Sequence, residues 1–133
     1  MGLIYVDSCL LIYAFEQHPI FGEAALARLS TLPAERLAIS PLVKMECLVL
    51  PLRNSDSRLI ERYTVGLLAF RCLEMKEAIF MQAAMLRARH GLKAPDAMHL
   101  ATAHYYGCDE FWAQDDRLHK AAQRVRVQNI MEA

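Results

Sequence analysis

Short apolar runs rich in β-branched and aromatic residues recur along the chain, each followed by a longer stretch with helical spacing. The first, LIYVD (Leu3–Asp7), ends in an acid and predicts a buried strand. SCLLIYAFEQ then predicts a helical turn or two, broken at His18-Pro19. In GEAALARLSTL, Ala24, Leu26, Ala27 and Leu29 interleave with Glu23 and Arg28, an amphipathic helix that Pro33 closes. RLAIS (Arg36–Ser40) is a second strand, and Ser40 followed by Pro41 is the signature of a helix start, here for PLVKMECLVLPL. Ser55, Asp56 and Ser57 are cap candidates for a helix through SDSRLIERYTVGLLAF, and RCLEM (Arg71–Met75) is a third strand. KEAIFMQAAMLRARHG is the plainest helix, with Ala78, Met81, Met85 and Leu86 as its apolar face, Glu77 in its first turn, Arg87, Arg89 and His90 in its last, and Gly91 as its stop. A further helix runs from about Pro95 to Tyr106 and stops at Gly107; EFWAQD (Glu110–Asp115) is a fourth strand ending in an acid, DRLHKAAQ a short helix and RVRVQNI a closing strand.

Strands alternating with helices predict an α/β fold around a mainly parallel central sheet. With 133 residues, 55% of them hydrophobic, and no repeat or linker, one domain spanning 1–133 is expected. Charge adds an exclusion: Lys plus Arg and Asp plus Glu number 15 each, so the chain is not a basic protein that coats nucleic acid. A local basic rim around an acidic centre remains open. The four cysteines, Cys9, Cys47, Cys72 and Cys108, form no C-x-x-C pair, so neither zinc nor a disulfide framework is expected; they read as buried or partly buried thiols of a reducing compartment. The apolar N-terminus lacks a basic region and is interrupted by Asp7, which argues against a signal peptide, and no apolar run reaches membrane-spanning length. A cytoplasmic protein is expected.

The chemistry lies in the acids. An open α/β sheet places its site outside the carboxyl ends of the strands. Asp7 and Asp115 end strands there, Asp96 opens the helix before the fourth strand, and Glu46 follows the second strand by about one and a half helical turns. Each has a plain structural reading when taken alone: Asp7 a cap, Glu46 a solvated residue, Asp96 a first-turn acid favoured by the helix dipole, Asp115 and Asp116 a turn pair. Taken together they cannot crowd ionised without a cation, and hard oxygen ligands select Mg²⁺ or Mn²⁺. Such an ion lowers the pKa of water and clamps the oxygens of an in-line phosphoryl displacement. A metal-dependent phosphodiesterase suits this set best, and no Ser-His-Asp arrangement or P-loop competes with it.

Four segments also resemble one family. YVDSCLLIYAF, ISPLVKMECL, RARHGLKAPDAMHLATA and FWAQDDRL are similar to the successive acidic blocks of the PIN domain, and more closely to those of VapC-type ribonuclease toxins of toxin–antitoxin pairs. The resemblance implies a PIN-like three-layer α/β sandwich and Mg²⁺- or Mn²⁺-dependent endonuclease action on RNA leaving 5′-phosphate ends. It also implies a homodimer and a cognate antitoxin. It makes Asp7, Glu46, Asp96 and Asp115 the catalytic metal ligands, with Ser8 as the hydroxyl residue after the first acid. The final block departs from the pattern: Ala113 and Gln114 stand where the family often has a hydroxyl residue and Asn, so Asp116 is an alternative to Asp115.

Around these acids, Arg87, Arg89, His90 and Lys93 before Asp96, and Arg117, His119 and Lys120 after Asp115, are candidates for a rim that neutralises an RNA backbone. The plainer reading of the same residues is helix-end cations. His99 shares a helix face with Asp96 and reads as a packed or supporting histidine rather than a ligand. Tyr105, Tyr106, Phe111 and Trp112 read as core or dimer contacts rather than base-stacking platforms. Two alternatives stay open, a PIN-like nuclease in RNA processing and a non-catalytic α/β binding module. A receiver-type module is disfavoured because RVRVQNI offers no lysine.

Overall fold

Residues 2–113 and 125–129 are described by the structure, a computed structural model. Five short strands, β1 (Ile4–Val6), β2 (Leu37–Ile39), β3 (Arg71–Cys72), β4 (Glu110–Ala113) and β5 (Arg126–Asn129), form one sheet in the order β3-β2-β1-β4-β5. Every neighbouring pair is parallel, with Tyr5 of β1 opposite Ala38 and Phe111. Two helices fill each of the first three connections: α1 (Ser8–Phe15) and α2 (Gly22–Leu29), α3 (Pro41–Arg53) and α4 (Ser57–Gly66), α5 (Glu77–His90) and α6 (Ala94–Tyr105). Every residue of β1 and β2 is buried, as happens where helices cover both faces of a parallel sheet. This is the expected PIN-like α/β sandwich.

Local chemistry sets the element ends. The Ser40 side chain accepts from the Val43 N–H and Pro41 takes the first turn of α3, while Asp56 accepts from the Leu59 N–H to cap α4. Gly91 and Gly107 stop α5 and α6 in the left-handed region, at φ +66° and +65°, which glycine adopts without a Cβ clash.

Three expectations need correction: the buried face of α5, the length of the third strand and the burial of Cys72. The buried stripe of α5 is Ile79, Ala83 and Leu86, whereas Ala78, Met81 and Met85 face out. That helix carries apolar residues on more than one side, and only the side facing the fold is covered. The third strand shortens to Arg71–Cys72 at the sheet edge, and Cys72 is exposed rather than buried because β3 has a neighbour on one side only. The expected helix DRLHKAAQ lies outside the described residues.

The topology selects one point on the sheet. From β1 the chain moves outward to β2 and β3, then crosses back to β4 and β5 on the other side of β1. Strand order therefore reverses between β1 and β4, and the crevice at their carboxyl ends is where such sheets bind ligands. The Asp7 N–H donates to the Trp112 carbonyl across that boundary at 3.0 Å.

Candidate active site

Asp7 is the first residue beyond β1 and the cap of α1. One carboxylate oxygen, Oδ1, accepts from the Ser8 N–H at 2.7 Å, and Oδ2 accepts from the Cys9 thiol at 3.5 Å. Capping and chemistry are thus not alternatives: the bonds that start α1 also pin the carboxylate at the strand-order reversal. Glu46 comes from α3, which starts directly after the neighbouring strand β2, and its position one and a half turns along brings it back over the end of β1.

Between the two acids lies His99 of α6, which is 1% exposed. Its Nε2 is 2.6 Å from Glu46 Oε1 and 3.7 Å from Asp7 Oδ1. Its Nδ1 is 2.7 Å from the Tyr5 hydroxyl, which in turn is 2.7 Å from Ser40 Oγ. Tyr5 and Ser40 are fully buried, and Phe111 packs edge-on against the Tyr5 ring at 5.2 Å. One ligand atom each from Asp7, Glu46 and His99 lie within 4.8 Å of one another. Asp96 is half-buried in the first turn of the same helix, three residues before His99.

Burial pushes the Glu46 carboxyl up, but the His99 hydrogen bond, the positive charge His99 carries when protonated and the Ser8 hydroxyl outweigh it and leave Glu46 below the ordinary carboxylate value. Burial holds the Tyr5 phenol well above its ordinary value; the Ser40 hydrogen bond opposes this, and the charges of Asp7 and Glu46 add to it. The structure therefore presents an ionised Glu46 beside a neutral Tyr5.

Of the residues singled out in the sequence, Asp7, Glu46 and Ser8 converge, and Asp96 stands on the helix that supplies His99. Asp115, Asp116, Arg117, His119 and Lys120 lie outside the described residues. Arg87 donates through Nε to the Leu92 carbonyl at 3.1 Å and so fastens the α5–α6 connection. Arg89 and Lys93 are exposed. Phe111 and Trp112 are core residues, one of the two roles expected, and Tyr105 is exposed. Sequence reasoning left out Tyr5 and gave Ser40 a capping role only. The tyrosine inside LIYVD, one residue from a strand's last apolar position, was the available signal.

The donor set fits a hard divalent cation. Two carboxylates this close repel one another unless positive charge lies between them, and both side chains retain exposure, 19% for Asp7 and 25% for Glu46, so an ion can reach them.

A family model described as PIN domain matches residues 4–124. No curated protein matches the chain by sequence. Among solved structures, a toxin–antitoxin complex from Klebsiella pneumoniae is similar at 23% identity and TM-score 0.78, covering 98% of this chain and 99% of that one. VapC20 of Mycobacterium tuberculosis, described as a sarcin-ricin-loop-cleaving toxin, aligns at 20% identity and TM-score 0.76, covering 92% and 98%. VapBC-1 from nontypeable Haemophilus influenzae aligns at 15% identity and TM-score 0.76, covering 98% and 99%. At these identities the likeness carries the fold.

Proposed function

Since this chain belongs to the PIN domain family, we propose that it is a divalent-cation-dependent endoribonuclease, the toxin of a toxin–antitoxin pair, acting in the cytoplasm. The observation that carries the reading is the convergence of Asp7 and Glu46 where the strand order reverses, with Asp96 in the first turn of the helix that brings His99 to the same point. The toxins among its structural neighbours support the toxin role. Asp7, Glu46 and Asp96, with Asp115 or its neighbour Asp116 as the remaining acid, would hold Mg²⁺ or Mn²⁺. When bound, such an ion supplies a lowered water pKa and positive charge for the phosphate oxygens of an in-line displacement.

The chain's own residues do the rest. The Ser8 N–H fixes the direction of the Asp7 carboxylate. The Ser8 hydroxyl and His99 keep Glu46 ionised, so it binds a cation without first losing a proton. Arg89 and Lys93 are exposed, and with Arg87 and Arg117 they are the proposed contacts to the RNA backbone. Apolar side chains exposed on α3 and α5, among them Met45, Val49, Phe80 and Met81, offer surface for the antitoxin and a second copy of the chain. Sequencing the RNA ends left by the purified protein with Mg²⁺ or Mn²⁺ tests the activity: discrete internal cuts with 5′-phosphate ends are expected, and intact RNA contradicts it. Induced expression tests the toxin role: growth arrest relieved by a co-expressed neighbouring gene product is expected, and unimpaired growth contradicts it.

A further inference from the structure

The side chains behind Glu46 form a continuous hydrogen-bonded line, Ser40 Oγ, Tyr5 hydroxyl, His99 Nδ1, His99 Nε2 and Glu46 Oε1, with successive contacts of 2.7, 2.7 and 2.6 Å. Three elements of the fold contribute: β1 gives Tyr5, the β2–α3 junction gives Ser40 and α6 gives His99. A proton count along this line has one solution when the imidazole is neutral. An ionised carboxylate only accepts, so Nε2 must carry the proton. Nδ1 is then a bare acceptor, so the Tyr5 O–H must donate to it. Tyr5 has no second proton, so the Ser40 O–H must donate to Tyr5. Ser40 is free to do so because its capping role toward the Val43 N–H uses a lone pair and not its proton.

We propose that Ser40, Tyr5 and His99 are a positioning relay that holds His99 as the Nε2–H tautomer, so that His99 orients Glu46 toward the cation and is not itself a ligand. The nitrogen nearest the two carboxylates has no lone pair to offer, because its proton points at Glu46. Two features keep the imidazole in place: its own burial and the buried Tyr5 hydroxyl behind it. The imidazole bonds Oε1 of Glu46, which leaves Oε2 as the oxygen not held by His99. Hydrogen-bonding partners behind a ligand set its orientation, and losing one typically weakens metal binding about 10–100-fold. The relay rests on the metal-site reading above, and the two can fail separately.

Two measurements on the full chain test it. The first is ¹⁵N NMR of the imidazole at a pH where it is neutral, without cation and with Mg²⁺. A proton on Nε2 and a bare Nδ1 in both conditions are expected. A proton on Nδ1, or loss of the Nε2 proton when Mg²⁺ is added, overturns the relay. The second is Mn²⁺ binding by calorimetry. His99→Ala is expected to weaken binding about 10–100-fold, His99→Gln, whose amide keeps an N–H donor, to recover most of it, and Tyr5→Phe to fall between them. Wild-type affinity in His99→Ala, or a His99→Gln variant no better than His99→Ala, overturns the relay. A wild-type chain that binds no Mn²⁺ while showing the Nε2–H signature sinks the metal-site reading and with it the role of the relay in cation binding, leaving only the tautomer.

Discussion

His99 Nε2 stands 2.6 Å from Glu46 Oε1, and this single contact joins α6 to α3 at the carboxyl end of β1. The two helices come from successive connections, α3 from β2–β3 and α6 from β3–β4, and 53 residues separate the partners. A shift of either helix would break the contact and free Glu46 from the imidazole that holds it near Asp7. The geometry of the acids therefore depends on the packing of α6 as much as on the acids themselves.

The same contact gives the fold an acid-sensitive contribution. Burial opposes ionisation of Glu46, but the His99 and Ser8 interactions win and lower its pKa from the ordinary value of about 4.5. For a depressed carboxyl, the stabilisation is complete above the unfolded-state value and is lost as pH falls through the lower folded-state value. The stability difference between the wild type and Glu46→Gln should accordingly shrink as pH drops below about 4.5. Urea unfolding in pH steps checks this, and a difference independent of pH over that range speaks against it.

Thiol reactivity should separate the cysteines. Burial first, then the charges of Glu46 and Asp7, push the Cys47 thiol up to about 12, and burial pushes Cys108 up to about 11. Cys72 is exposed at the sheet edge. Alkylation of the native protein near neutral pH, mapped by mass spectrometry, should label Cys72 well before Cys47 or Cys108, because the thiolate is the reactive form. Equal labelling of Cys47 and Cys72 would show that α3 does not bury its thiol.

Gly66 ends α4 against an aromatic ring. A Cβ there would meet Phe15 Cε2 at 2.5 Å and Cζ at 2.8 Å. The Phe15 ring cannot swing away freely, since it stacks on Tyr63 at 5.1 Å, and the Tyr63 hydroxyl donates to Glu16. Gly66→Ala gains about 1 kcal/mol in helix propensity, yet an overpacking cost of about 1–3 kcal/mol should leave it destabilised by up to about 2 kcal/mol net. Thermal unfolding measures this; a raised Tm would mean the ring yields.

Much of the fold could be read locally. The Ser40-Pro41 start and the two glycine stops stand where the sequence placed them, and the cap of α4 falls to Asp56, one of its three candidates; each depends on residues within a turn of one another. The face of α5 could not be read that way. Its apolar residues satisfy more than one helical stripe, and the choice of Ile79, Ala83 and Leu86 over Met81 and Met85 is made by what packs against the helix. The site divides on the same line. Asp7 and Glu46 carried a signal because acids stand out at the end of an apolar strand or within an apolar helix. Tyr5 looked like any aromatic strand residue, because its partners Ser40 and His99 lie 35 and 94 residues away.

Cleavage of a labelled RNA by the purified chain measures directly whether these acids cut RNA with a divalent cation. Wild-type protein should cut with Mg²⁺ or Mn²⁺ and stop when EDTA is added, while Asp7→Asn and Asp96→Asn should stay folded by circular dichroism and lose the activity. Cleavage that persists in EDTA, or a near-normal rate in Asp96→Asn, would contradict the site assigned here.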